Sequence, residues 1–403
     1  MPGVAMRWLK YLIVAPIAFT SLTPLQAQEV LDRVEPTRLE QNKVDQVAHD
    51  RPAPAQMAPP VATPVLPQRE LTVGAIEIVG LQVLTNSDFG DIVQDHIGRS
   101  LNRNEIAALV DRLASRAQRR FPLASARIAP QDVAANILKV EIDEGRVDSV
   151  ELAGFSNRRV ERALQRLADG APVTSVALER AVLLARDIDG ITINETTVKR
   201  VGDRNILVVK GAYDRFRGQV AIDNDTTRPI GPFELFGFMQ SNGVFSHDDS
   251  LQAYFLASLP EPEELAFLRL RYAKRIDDAG TEVSVAGSYS RSNPGSYLAP
   301  LDIEGDGAWA GVALSRPLER SVTSSLWAEA NLSFRELRQE SAKVISRLDR
   351  LTVARLRLSG SASFAGGVMR SSVTLAQGVN VLGATQLGDP LSSRPDAGEA
   401  FTT

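Results

Sequence analysis

Two acidic pairs, Asp248-Asp249 and Asp277-Asp278, are the residues whose type and spacing come nearest to chemistry. Paired carboxylates can divide general-acid and general-base work in a hydrolytic site. Both pairs lie in turn-like segments, where adjacent acids ordinarily mark a solvated loop. Other catalytic equipment is scarce. The 403-residue chain has no cysteine, which excludes disulfide scaffolds, thiolate zinc sites, iron–sulfur clusters and cysteine nucleophiles. His49, His96 and His247 are far apart, so no His-rich metal site is expected. No Gly-rich loop ends in Lys-Ser or Lys-Thr, so no ATP site is expected. A net charge of −4 gives no basic footprint for nucleic acid. The expectation is a protein without catalytic residues, metal or cofactor, and hence not an enzyme.

The elements that position these residues begin with an address. Arg7 and Lys10 precede an apolar stretch from Tyr11 to Phe19, and small and polar residues end at Leu25-Gln26-Ala27. That layout predicts a secretory signal over residues 1–27, too short to span a bilayer. Residues 28–50 are polar, with Leu31, Val34, Leu39 and Val47 able to line one side of a short helix. Residues 51–70 hold Pro52, Pro54, Pro59, Pro60, Pro64 and Pro67 and read as a stiff, extended linker.

From Leu71 the pattern turns β-rich, closing at Gly80. Asn102 and Glu105 have capping-box spacing, and Ile106, Leu109, Val110 and Leu113 then form one helical face. Strands are predicted over 124–128 and 137–142, and Ser87–Ile97 as an earlier helix. The order β-α-α-β-β recurs at once. It comprises a strand over 147–152, a helix capped by Ser156, a second helix through Leu178, Val182 and Ala185, and strands over 191–198 and 206–210. Two tandem modules over 71–146 and 147–212 are therefore an internal repeat in element order. Two unrelated α+β modules would give the same pattern.

Residues 213–403 alternate with period two in segments of 8–12 residues. Phe216, Gly218, Val220 and Ile222 face one way, and Arg217, Gln219, Ala221 and Asp223 the other. Leu326, Ala328, Ala330, Leu332 and Phe334 likewise alternate with Trp327, Glu329, Asn331 and Ser333. A soluble sandwich and a transmembrane barrel both do this. Segment length and the light, Ala- and Gly-rich apolar faces favour the barrel.

Several runs carry a resemblance. Phe121-Pro122-Leu123-Ala124-Ser125-Ala126-Arg127-Ile128, with Ile137-Leu138-Lys139-Val140 and Glu144-Gly145-Arg146-Val147, resembles a first POTRA domain of the two-partner secretion transporters. These are the haemolysin secretion/activation proteins of the Omp85 superfamily. Leu178-Glu179-Arg180-Ala181-Val182-Leu183-Leu184-Ala185-Arg186-Asp187-Ile188-Asp189-Gly190 is similar to a second POTRA domain. Asp223-Asn224-Asp225, Arg316-Pro317-Leu318-Glu319-Arg320-Ser321 and Ala376-Gln377-Gly378-Val379-Asn380-Val381-Leu382-Gly383-Ala384 look like the family's barrel. The fold class implied is two α+β POTRA modules followed by an antiparallel transmembrane β-barrel.

Departures exist: the family often has Gly-Tyr at Arg120-Phe121 and Pro at Asp189. The family barrel has ~16 strands, within the even-numbered range for such barrels. About nine can be counted here, so the expectation is a barrel incomplete at its C-terminus. The family's arginine-bearing inserting loop and aromatic final strand have no counterpart to carry over.

The resemblance implies an outer-membrane pore with periplasmic POTRA domains, exporting one secreted, β-helical partner protein. Further partners would be outer-membrane lipid and, during biogenesis, the barrel-assembly machinery and periplasmic chaperones. An unfolded substrate could add a strand to an exposed module edge. The candidate substrate-binding residues are Ser125, Arg127 and Ile128 in the first module and Thr192, Asn194 and Thr196 in the second. The family's resting plug would correspond to Glu29–Val47, within residues 28–50. The runner-up function is assembly of other outer-membrane proteins. A soluble periplasmic binding or hydrolytic protein, using the acidic pairs, is a third.

Overall fold

The structure is a computed structural model and describes residues 71–130, 136–202, 204–224, 226–364 and 366–394. The expected signal, plug segment and linker lie outside the described residues, as do Gln131, Asp225 and residues 395–403.

The first module opens with a two-residue ladder, β1 (Leu71–Thr72) against β3 (Ser100–Leu101). Its three-stranded sheet has the order β2-β5-β4: β2 (Ala75–Val79) runs parallel to β5 (Ile137–Asp143), and β4 (Ser125–Ile128) antiparallel to it. The helix predicted over Ser87–Ile97 is instead a 3₁₀ turn (Asn86–Phe89) followed by five-residue α1 (Gly90–Gln94). The long helix α2 (Arg103–Gln118) starts at the predicted box. Asn102 Oδ1 accepts from the N–H groups of Asn104 and Glu105, and Glu105 Oε2 accepts from Asn102 N–H at 2.7 Å. Those bonds satisfy the orphan donors of the first turn. Ile106, Leu109, Val110 and Leu113 are buried against Phe89, Phe121, Leu138, Val140 and Ile142.

The second module repeats the topology. β6 (Ser149–Ala153) is parallel to β8 (Arg204–Tyr213), which pairs antiparallel with β7 (Ile191–Val201), giving the order β6-β8-β7. Helices α3 (Arg158–Gln165) and α4 (Ser175–Arg186) cover one face. The cap of α3 is Asn157, not Ser156: its side chain accepts from the N–H groups of Arg159 and Val160. The repeat extends to backbone detail. Gly80 and Gly154 each follow the first strand of their module at φ +88°, where a Cβ would lie 2.6–2.7 Å from a carbonyl oxygen of the central-strand chain, Ile142 and Gly211 respectively. Only glycine accepts both that φ and that approach.

Among the described residues beyond Tyr213, nine strands form one antiparallel meander, each paired with its sequence neighbours. They are β9 (Phe216–Asp223), β10 (Phe233–Asn242), β11 (Asp249–Leu259), β12 (Leu265–Arg275), β13 (Glu282–Ser292), β14 (Ile303–Arg320), β15 (Ser324–Ser341), β16 (Val344–Phe364) and β17 (Gly367–Gly378). β9 and β17 are the two edges, and among the described residues no ladder joins them. The sheet is thus an open antiparallel wall over the described residues.

Three strands exceed the expected 8–12 residues: β14, β15 and β16 have 18, 18 and 21. Their extensions at one end are polar and bonded across strands. Asp306 accepts from Tyr289 Oη at 2.7 Å, and Glu336 pairs with Arg350 at 2.6 Å. The Gly- and Asp-rich start of β14 reads locally as a turn, and cross-strand partners make it a strand. The 11-residue strands, at about 3.3 Å per residue and a tilt of about 40°, rise about 28 Å, close to the apolar band of a membrane barrel.

Candidate functional site

Three features could carry function: the module edges, the joint between second module and sheet, and the polar face of the sheet.

Both middle strands, β4 and β7, lie at the outside of their three-stranded sheets, so each presents one edge unpaired among the described residues. On β4, Ala129 N–H donates to the Lys139 carbonyl at 3.1 Å. Antiparallel alternation then turns the backbone groups of Ser125 and Arg127 toward β5, and those of Ala126 and Ile128 outward. Arg127 is exposed and forms a two-pronged pair with Glu141 at 2.9 and 3.0 Å. That bond holds the Glu141 carboxyl below its usual range. Ile128 is half-buried against the module core.

On β7, Asp214 N–H donates to the Gly190 carbonyl, so Thr192 also faces its backbone inward and Ile193 faces outward. Asn194 is the extra residue of a β-bulge between Ile193 and Glu195 and is exposed. Thr196 is buried, and its hydroxyl oxygen has no hydrogen-bond partner among the described residues. The six predicted residues therefore form two separate strands rather than one cluster. Ile128 combines an outward backbone with partial exposure.

The joint gathers residues that sequence reasoning had set aside. Arg159, in the first turn of α3, is 6% exposed. Its guanidinium meets Asp278 at 3.2 Å, Asp248 at 3.7 Å and the carbonyl of Asp277 at 2.5 Å. Arg166 adds a 3.0 Å contact to Asp278, and Asn157 donates to the His247 carbonyl. At the far end of α4, Arg320 grips the buried Asp187 carboxylate with two bonds of 2.7 and 2.9 Å. Arg275 donates to the carbonyls of Leu184 and Asp187. Ser250 donates to Asp189 at 2.6 Å, Arg180 to the Pro317 carbonyl at 3.2 Å, and Val322 N–H to Glu179.

The remaining acids of the pairs shape turns. Asp249 accepts from the N–H groups of Val244, Phe245 and Ser246 and from Tyr272 Oη. Asp277 accepts from Thr281 N–H at 2.8 Å and Thr281 Oγ1 at 2.6 Å. Burial pushes the Asp277 carboxyl upward, but these bonds and nearby Arg316 outweigh it and hold it below the usual range. The acidic pairs are thus bound within turns and to the second module, and each carboxylate is engaged in that role. One signal for the joint was present: Arg158-Arg159 put two cations in the first turn of a helix, against its dipole, which calls for acidic partners elsewhere.

The sheet separates its faces by register. Val220, Met239, Leu251, Leu268, Leu270, Val285, Val312, Leu332, Leu356, Val373 and Leu375 are exposed on one face and run across all nine strands. An apolar field of that breadth belongs against lipid or a partner. The opposite face carries Arg217, Gln240, Gln252, Arg271, Ser288, Asn331 and Arg355 among others. No helix of the described residues is long and apolar enough to cross a membrane.

Two α+β modules of parallel element order precede a broad antiparallel sheet, and solved structures share that fold. Among solved structures the chain is similar to CdiB from Escherichia coli, with a TM-score of 0.62 and 17% identity over 96% of this chain and 73% of that one. It is also similar to CdiB from Acinetobacter baumannii, with a TM-score of 0.51 and 16% identity over 89% and 72%. Among curated sequences it is similar to the heme/hemopexin transporter protein HuxB of Haemophilus influenzae, with 21% identity over 270 residues, or 65% of this chain and 47% of the relative. The chain spans about half the length of the curated relatives it matches. No protein-family model matches it.

Proposed function

We propose that this chain is an outer-membrane transporter of the two-partner secretion type, recognising an unfolded partner protein at its periplasmic modules and passing it outward. One observation carries the reading: of two modules whose outer strands are unpaired among the described residues, the second is held to one end of a sheet with one apolar and one polar face. The similarity to CdiB and HuxB supports it.

In this reading residues 1–27 supply the export address, and residues 71–146 and 147–212 stand in the periplasm as POTRA domains. The sheet forms part of a barrel wall, with Val312 and Leu332 toward lipid. An extended substrate segment pairs with β4 through the outward backbone groups of Ala126 and Ile128, and with β7 beside the Asn194 bulge. Backbone pairing supplies affinity, while Arg127 and Asn194 discriminate among side chains. Outward movement draws on folding of the substrate outside, since no nucleotide site is evident in the sequence.

The test is deletion in the source organism, followed by mass spectrometry of the medium and of the outer membrane. Loss of one large β-rich protein from the medium, with an unchanged outer-membrane proteome, is the expected result. Depletion of several unrelated outer-membrane proteins would favour the assembly function instead. No change in either fraction would refute both.

A further inference from the structure

The polar face is not evenly polar. Ladder registers align residues into rows that cross the sheet. One row reads Gln219, Phe238, Tyr254, Arg269, Ser288, Trp309, Arg335, Leu351. The next, two residues along, reads Arg217, Gln240, Gln252, Arg271, Ala286, Gly311, Ser333, Val353. A third includes Ala273, Ser284, Ala313, Asn331, Arg355 and Ala376. These three rows hold five arginines and no carboxylate, in a chain whose net charge is −4. Of the acids in the two adjoining rows, Glu282 pairs with Arg271 at 2.6 Å, Asp349 pairs with Arg347 at 2.7 Å, and Glu329 stands opposite Arg357 in the ladder.

The belt is also built to meet a chain rather than an ion. Arg269 lies over the Trp309 ring at 5.0 Å, and Phe238 packs on Tyr254 at 4.8 Å. Arg355 donates to Ser333 Oγ at 2.8 Å, which orients its guanidinium on the same face. From β12 to β16 the belt is four strand spacings wide, about 19 Å, or the length of about six extended residues. Guanidinium groups set among aromatic faces suit carboxylate side chains separated by apolar ones.

We propose that this arginine–aromatic belt is a binding surface for acidic, extended polypeptide, so that the passage favours carboxylate-bearing segments. The proposal rests on the polar face lining the transport path, and it names the substrate chemistry that this path selects. Glutamate-rich stretches dwell on Arg269, Arg335 and Arg355, while the rings hold the intervening apolar side chains. Lysine-rich stretches are repelled.

The test uses full-length protein in vesicles of neutral lipid. A fluorescent 20-residue Glu/Ala peptide and its Lys/Ala counterpart are titrated by anisotropy, and vesicle flotation is read on the same samples. Wild type is expected to bind the Glu peptide in a salt-sensitive manner, and the Lys peptide at least about tenfold more weakly. The triple variant R269Q/R335Q/R355Q should lose about tenfold or more in Glu-peptide affinity, and R269K/R335K/R355K should retain most of it. A control at the exposed Arg103 and Arg112 of α2 should leave it unchanged. Equal affinity for the two peptides, or equal Glu-peptide binding by wild type and the triple glutamine variant, overturns the belt. Protein that floats yet shows no charge preference refutes the belt alone. Protein that shows the preference but does not float refutes the transporter reading alone.

Discussion

Replacing Arg159 with methionine tests whether the second module is fixed to the sheet by the charges seen at the joint. Methionine keeps much of the aliphatic packing and removes the guanidinium. Three bonds then disappear, to Asp278, Asp248 and the Asp277 carbonyl, and two carboxylates lose their buried partner. Breaking a buried pair by removing one member costs about 3–5 kcal/mol. Arg166 still reaches Asp278 from an exposed position, which places the expected loss near the lower figure, about 3 kcal/mol.

The loss falls on docking, because the bonds of Arg159 cross to the sheet rather than into the core of its own module. Hydrogen exchange on protein in detergent should show faster exchange in turns 243–248 and 276–281 by about 100-fold. Core amides of α2 in the first module should be unchanged. A cycle with Asp278→Asn should give a double variant milder than the sum of the singles by at least about 1 kcal/mol. Unchanged exchange in both turns, or strict additivity, would refute the electrostatic account of the joint.

Glu144 is almost fully buried and accepts from the N–H groups of Gln82, Val83 and Leu84 at 2.7–3.0 Å. Glu144→Ala orphans those donors and should lower the denaturant stability of the first module by about 1–3 kcal/mol or more. Asn102→Ala removes the α2 cap and should cost about 1 kcal/mol in the same assay. The Asp277 carboxyl, held below its usual range in the fold, contributes stability that is present above the unfolded value near about pH 4 and lost as pH falls through the folded one. The thermal midpoint should therefore decline on acidification below about pH 4, and less steeply in Asp277→Asn.

Much of the architecture was legible because it rests on local periodicity. The Asn102–Glu105 spacing marked the start of α2, and the alternation of Phe216–Asp223 and Leu326–Phe334 assigned residues to the faces that the ladders display. Strand ends were less legible. At Glu304-Gly305-Asp306-Gly307 composition favours a turn, but pairing with β13 and β15 makes a strand. The joint was not legible, since Arg159 lies 118 residues from Asp277 and Asp187 lies 133 from Arg320. Contacts of that separation leave no periodic trace. The acidic pairs were seen, but their partners were out of reach. The Glu144-Gly145 turn hid a second role, since a turn signal does not reveal a carboxylate folded inward to hold another loop.

The central claim is that alternate residues of the sheet face lipid. Because the chain has no cysteine, single-site labelling is free of background. An environment-sensitive fluorophore placed by Leu332→Cys, and separately by Asn331→Cys, is read in vesicles with and without brominated lipid. The account predicts strong quenching at position 332 and little at 331, with the same contrast between Val312→Cys and Ala313→Cys. Equal quenching at neighbouring positions, or none at any, would contradict it.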